Sequence, residues 1–123
     1  MRLLLTAAAL SAAVPAGAAT GMTVDQFLQT AAALEKRGMT ALFSKDYKRL
    51  KGELRSAGLA LRADQKLAMR EGRRPTACLP PGEAQVTSNE VLAHFKAIPP
   101  AQRNMPAKTA FNGLMKRKYP CPG

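Results

Sequence analysis

Apolar side chains recur at helical spacing along most of the chain, and no segment shows the clear two-residue alternation of a β-strand. In the first such stretch the apolar positions lie three or four residues apart, at Val24, Phe27, Leu28, Ala31 and Leu34. Thr23 and Gln26 form a capping-box pattern in front of this stretch, and Gly38 follows it as a stop signal. The pattern predicts a first helix from Thr23 to about Arg37.

A longer stretch with the same period follows a short apolar linker at 39–43. Ser44 is placed to cap it, and the apolar positions are Tyr47, Leu50, Leu54, Ala57, Leu61 and Ala68. We predict an amphipathic helix from Lys45 to about Glu71. Its other face carries a basic stripe of Lys48, Lys51, Arg55, Arg62 and Lys66. Gly52 and Gly58 lower the helix propensity there, which predicts a bend or close packing.

The segment from Gly72 to Ser88 breaks the helical period with three prolines and two glycines, and it is predicted to be the longest loop. Thr87 and Glu90 form a second capping box, which opens a short helix. The apolar face of that helix comprises Val91, Leu92, Phe95 and Ile98, and Pro99-Pro100 ends it.

A final helix is predicted to begin with Pro106 in its first position and to stop at Pro120. Its stripe comprises Ala107, Ala110, Phe111, Leu114, Met115 and Lys118. The predicted fold class is therefore all-α, a small bundle of about four helices. Met39, Met69, Met105 and Met115 are interpreted as core fillers.

The first residues have the layout of a secretory signal peptide. Arg2 precedes an apolar run of about a dozen residues from Leu3 to Val14, which is shorter than the roughly 20 residues of a membrane span. Small residues then favour cleavage after Ala18 or Ala19. We expect a signal peptide at 1–19, one domain at 20–123 and a soluble periplasmic or secreted product.

Two cysteines, Cys78 and Cys121, lie 43 residues apart in the predicted mature chain. In an oxidising compartment they are expected to form one structural disulfide, worth about 4 kcal/mol on the chain-entropy model. A redox role would favour a CxxC pair, and a metal site would need more ligands than the lone His94 adds. The bridge would tie the end of the last helix to the long loop.

The charge balance is strongly basic, with 19 Lys and Arg against 8 Asp and Glu. Loss of Arg2 with the leader lowers the net charge from +11 to +10. This favours anionic partners such as lipid head groups, cell-wall acids or an acidic protein surface, although a merely solvated basic surface explains it equally well. Nucleic acid is not expected, since the few aromatic residues fall mostly at core positions.

The sequence offers no pattern for catalysis. The acidic residues are scattered, both cysteines are assigned to the bridge, and His94 lies in a helix beside its apolar stripe. Phosphate-binding loops and metal-ligand clusters are missing from the sequence. We expect a non-enzymatic protein with no catalytic residue, no metal and no cofactor.

The last third resembles the Rap/Tai family of periplasmic immunity proteins of type VI secretion. The resemblance is carried by Cys78-Leu79-Pro80-Pro81-Gly82, by a short helix ending at Ile98-Pro99-Pro100, by Ala101 to Ala107, and by Tyr119-Pro120-Cys121-Pro122. Such proteins are small, helical and disulfide-bonded, and characterised members bind and block peptidoglycan amidase effectors. Family members commonly carry a further cysteine pair in their first half, which the segment 23–74 lacks.

The resemblance implies an exported protein that occludes an acidic protein surface or active-site groove. Independently of the family, the loop held at Cys78 offers the candidate contacts Arg70, Arg73, Arg74, Pro80, Pro81 and Gln85, and solvated loop charge is the alternative interpretation of these arginines. The alternative is an envelope protein that binds anionic lipid or cell-wall polymer through the basic stripe. The partner's identity and the formation of a homodimer stay open.

Overall fold

Four α-helices and two short 3₁₀ helices build the part of the chain that the computed structural model describes, residues 21–82 and 85–122. The α-helices are α1 (Val24–Arg37), α2 (Lys45–Glu71), α3 (Ser88–Lys96) and α4 (Ala107–Lys118), and the 3₁₀ helices span Gly38–Phe43 and Pro100–Gln102. Within these ranges there is no strand, which confirms the all-α prediction. The predicted signal peptide, 1–19, lies outside the described residues.

The helix starts follow the capping signals of the sequence. Thr23 Oγ1 accepts the Gln26 N–H at 3.1 Å, and the Gln26 side chain accepts the Thr23 N–H at 3.0 Å. Thr87 and Glu90 form the same reciprocal pair, at 3.1 and 2.9 Å. Ser44 Oγ accepts the Tyr47 N–H at 3.2 Å. These local bonds satisfy N–H groups that a helix cannot pair internally, so three of the four helix starts were predictable.

The start of α4 differs from the prediction. Pro106 is the N-cap residue and not the first helical residue, and the Ala107 N–H donates to the Met22 carbonyl at 2.7 Å. In return, the Val24 N–H donates to the Met105 carbonyl at 2.9 Å. The N-termini of α1 and α4 therefore cap each other through backbone bonds, which no local sequence signal encodes.

The core lies where α2 packs on α1 and α4, and where α3 packs on the same two helices. At its centre Phe95 is fully buried and meets Phe27 edge to face, with the ring centroids 5.0 Å apart. Two methionines depart from the predictions, and a phenylalanine in the linker is also exposed. Met39 and Met69 are 79% and 73% exposed and are not core fillers, and Phe43 is 87% exposed.

The predicted disulfide between Cys78 and Cys121 is confirmed, with the two Cα atoms 4.9 Å apart. Beside it the Cys78 N–H donates to the Tyr119 carbonyl at 2.9 Å. The middle of the loop between α2 and α3 is thus fixed to the end of α4.

Helix α2 continues unbroken through both of its glycines. A methyl group added at Gly52 or Gly58 would meet no described atom within 4 Å. The close packing predicted at these positions is therefore wrong.

Candidate functional site

A row of exposed cations runs along the outer side of α2. Lys48, Lys51, Arg55 and Lys66 are all exposed, and we call these four residues the basic face. None of the three ion pairs among the described residues involves them. Lys51 Nζ lies 5.5 Å from the centroid of the Tyr47 ring. The basic face therefore presents positive charge to solvent, and no acid among residues 21–82 and 85–122 pairs with it.

The acidic residues of α2 lie on a different side of the helix. Asp46, Glu53, Asp64 and Glu71 are separated by 7, 11 and 7 residues, and each of these intervals returns to nearly the same angle at 3.6 residues per turn. Glu53 Oε1 accepts the Met22 N–H at 3.3 Å, and Asp64 Oδ2 accepts the Thr76 N–H at 3.1 Å. Glu53 and Asp64 thus bind backbone N–H groups of the chain, whereas none of the ion pairs among the described residues involves the basic face.

Arg62 departs from the other members of the predicted basic stripe. Its side chain donates to the Pro80 carbonyl at 2.8 Å and to the Gly82 carbonyl. The residue is only half exposed. Arg62 therefore holds the loop against α2, and we leave it out of the basic face.

The arginines at the start of the loop are also engaged within the chain. Arg73 pairs with Asp64 at 3.1 Å and with Glu71 at 2.8 Å, and Arg74 donates to the Cys121 carbonyl at 2.7 Å. The Thr76 N–H and then the Arg73 guanidinium hold the pKa of Asp64 below its usual value. Glu71 and then Asp64 raise the pKa of Arg73.

The remaining candidate contacts of the loop are divided between exposed and tethered positions. Arg70 and Pro81 are exposed, whereas Pro80 is half buried. The Gln85 N–H donates to the Tyr119 hydroxyl at 3.2 Å, and its carbonyl accepts from Lys118 Nζ. The structure therefore does not gather the six candidates into one exposed cluster.

A groove of about 470 Å³ opens between α2, the loop and the start of α3. Leu54 and Leu59 line one wall, Leu79 and Val86 line another, and Phe111 lies in its floor. Leu59 is 64% exposed and lies between Arg55 and Arg62 in the sequence. The groove is mostly apolar with cations at its rim, which suits a side chain or short segment of a partner.

The single histidine lies in a second depression, of about 420 Å³, between α3 and α4. Arg117 Nη2 lies 3.2 Å from His94 Nδ1. Burial and then the Arg117 charge lower the pKa of His94, against a backbone hydrogen bond with Ala110 that raises it. A cationic neighbour supplies neither a carboxylate to orient the ring nor a nucleophile for it to activate, so this arrangement gives no catalytic pair.

The described residues contain no cluster of three or more His, Cys, Asp or Glu side chains that could hold a metal ion. None of the described helices combines the length and the apolar character needed to cross a bilayer.

Sequence reasoning placed a short apolar linker between α1 and α2 but missed that its large side chains are exposed on a 3₁₀ helix. Met39, Leu42 and Phe43 are 79%, 45% and 87% exposed, and we call these three residues the apolar corner. The sequence held a signal of this exposure, because the segment is apolar but lacks the helical period that would turn one face to the core.

Comparisons with family models, with curated proteins and with solved structures found no match to this chain.

Proposed function

We propose that the protein is an exported, non-catalytic binding protein whose basic face holds an anionic partner in the cell envelope, either lipid head groups or a cell-wall polymer. The observation that carries this proposal is the separation of charge on α2. Its acids lie on one edge and mostly serve internal bonds, whereas Lys48, Arg55 and Lys66 are exposed and unpaired within the described chain. Such a face attracts polyanions without requiring a preformed pocket.

Two further observations support a location outside the cytoplasm. The residues up to Ala19 have the pattern of a leader, and the disulfide is typical of an oxidising compartment. A net charge of +10 in the predicted mature chain adds long-range attraction to anionic surfaces.

The test is cosedimentation of the mature chain with phosphatidylglycerol vesicles and, separately, with isolated cell-wall polymer. The test variant replaces Lys48, Arg55 and Lys66 by Gln. A cation near an anionic membrane contributes about 1 kcal/mol, so the loss of three should weaken vesicle binding about 100-fold. Binding of the unmodified chain should also fall as the salt concentration rises.

The matched control replaces Lys96, Lys108 and Lys116 by Gln, which removes the same charge from α3 and α4. This variant should keep most of the affinity. Equal weakening in both variants would mean that only net charge matters, and it would contradict a role for the basic face.

A second candidate function is occlusion of a protein partner, as the resemblance to immunity proteins implies. The groove beside the loop favours it, because this groove offers an apolar surface with Arg55 and Arg62 at its rim. A peptidoglycan amidase effector is the partner that the resemblance suggests.

Salt and a groove variant separate the two functions. A shape-complementary complex with an amidase should survive about 1 M salt, where the screening length is about 3 Å, and should inhibit the amidase. Leu59→Lys should abolish that inhibition, because it places a charge at the groove, and should leave attraction to anionic vesicles intact. Inhibition unchanged by Leu59→Lys would exclude the groove as the inhibitory surface.

A further inference from the structure

The apolar corner is held in a fixed position rather than on a loose loop. Ala41, in the middle of its 3₁₀ helix, is only 4% exposed and packs in the core. The Thr40 hydroxyl donates to the Arg37 carbonyl at 3.0 Å, and the Ser44 hydroxyl donates to the Ala41 carbonyl at 2.6 Å. The backbone of this turn is therefore fixed, and Met39 and Phe43 project from it into solvent.

Exposure of three large apolar side chains in one turn is unfavourable in water. Phe43 alone leaves 87% of its surface exposed, and Met39 leaves 79%. Neighbouring apolar side chains exposed together are characteristic of a surface that meets a partner or a membrane.

Cations surround this corner along the chain. Residues 35–49 contain five Lys and Arg, two at the end of α1 and three at the start of α2, against the two acids Glu35 and Asp46. A second copy of the chain on this corner would bring two sets of like charges together. The apolar corner with its flanking cations is complementary to a bilayer, in which anionic head groups cover an acyl interior.

We propose that the apolar corner is a membrane-insertion site, at which Phe43, Met39 and Leu42 enter the acyl boundary of an anionic bilayer while the flanking cations contact its head groups. This inference rests on the proposed function and selects lipid as the anionic partner. Attraction through charge and insertion of apolar side chains are two separate contributions to interfacial binding, and here adjacent segments supply them.

The absence of tryptophan from the chain makes a direct test available. A Phe43→Trp variant carries one tryptophan at the corner, and a Leu67→Trp variant carries one at another exposed apolar position. Leu67 follows Lys66 by one residue, a rotation of about 100° around α2, so it lies off the basic face that contacts the head groups. Phosphatidylglycerol vesicles with brominated acyl chains are the probe.

We expect the emission of the Phe43→Trp variant to shift to shorter wavelength and to be quenched on these vesicles, and that of Leu67→Trp to stay unchanged. A Phe43→Ala variant should lose about tenfold in vesicle affinity, and this loss should persist at high salt, because the missing contribution is apolar. A Leu67→Ala variant should bind like the unmodified chain. Thermal unfolding checks that each variant is folded.

The outcomes separate insertion from the proposed function. Cosedimentation with vesicles without quenching at position 43 would overturn insertion and leave the basic face as the binding surface. Binding to cell-wall polymer alone would also overturn insertion. Dimerisation that Phe43→Ala abolishes, without any vesicle binding, would assign the corner to a protein contact. Failure to bind any anionic probe would overturn both proposals.

Discussion

Arg103 has a role that its position in the sequence does not indicate. Its guanidinium donates to the Ile98 carbonyl and to the Lys96 carbonyl, both at 2.9 Å, and its own carbonyl accepts the Asp25 N–H at 2.9 Å. One residue thus satisfies carbonyls at the end of α3 and caps the start of α1. Such carbonyls have no intrahelical partner, so a planar, charged donor is well suited to them.

We predict that Arg103→Ala lowers the free energy of unfolding by about 2 kcal/mol, because it removes two charge-assisted hydrogen bonds. Urea denaturation measures the change. Arg103→Lys should recover only part of it, since an ammonium group cannot match the geometry of two bonds. Full recovery by Lys would mean that the charge matters and the bonds do not.

The single histidine should make the free energy of unfolding depend on pH. Burial holds the pKa of His94 below its ordinary value of 6.5, so the unfolded chain takes up the proton first as the pH falls. The free energy of unfolding should therefore decrease as the pH falls from about 7.5 towards 5. The decrease should be absent from a His94→Gln variant, which leaves no other histidine in the chain. Denaturation at a series of pH values gives the slope, and an increase in stability over this window would contradict the lowered pKa of His94.

Burial of individual residues was predictable where the helical period was clear. Met115 falls on the stripe of α4 and is 1% exposed. Met69 follows the buried Ala68 by one residue, a rotation of about 100° around the axis, and is exposed. An apolar side chain alone therefore does not predict burial; its angle relative to the buried stripe does.

At the scale of the elements, helix α2 offers a direct test of intrinsic propensity. Gly52 is exposed in its interior, and a methyl group there meets nothing among the described atoms. We predict that Gly52→Ala stabilises the protein by about 0.8 kcal/mol, because Ala restricts the unfolded chain and favours the helix. Gly58→Ala should do the same. Thermal denaturation measures both changes, and a loss of stability would reveal a contact at that position.

A glycine outside the helix interior provides the contrast. Gly72 ends α2 with a φ of 67°, a left-handed conformation that side chains disfavour. Gly72→Ala should destabilise the protein by about 1 kcal/mol in the same assay.

Element boundaries were predictable to the extent that they are set by local bonds. The capping boxes at Thr23 and Thr87 and the cap at Ser44 need only residues three positions apart, so their starts were correct. The start of α4 depends on the Met22 carbonyl, which comes from the other end of the domain. Such long-range pairing cannot be read from spacing.

At the scale of the whole molecule, the candidate site was likewise predictable only where it depends on the local geometry of one helix. The stripe of cations on α2 was visible in the sequence, because helix geometry alone places Lys48, Arg55 and Lys66 together. Arg62 is not part of the basic face because its guanidinium binds the carbonyls of Pro80 and Gly82. Arg74 likewise binds the carbonyl of Cys121. These carbonyls lie 18, 20 and 47 residues from the arginines that bind them, so only the tertiary fold brings the groups together.

The disulfide allows stability to be separated from binding. A variant with Cys78→Ser and Cys121→Ser loses a bridge across 43 residues and should be less stable by about 4 kcal/mol, as measured by urea denaturation. Helix α2 packs on α1 and α4 through residues outside the bridge, so the basic face should persist while the variant is folded. We therefore expect vesicle binding within about twofold of the unmodified chain at low temperature, because the exposed cations of α2 are unchanged.

Binding through the loop and its groove would instead depend on the tether at Cys78, since the bridge fixes the wall that contains Leu79. A folded variant that loses its affinity for vesicles would place the binding surface on the tethered loop and contradict the assignment to α2.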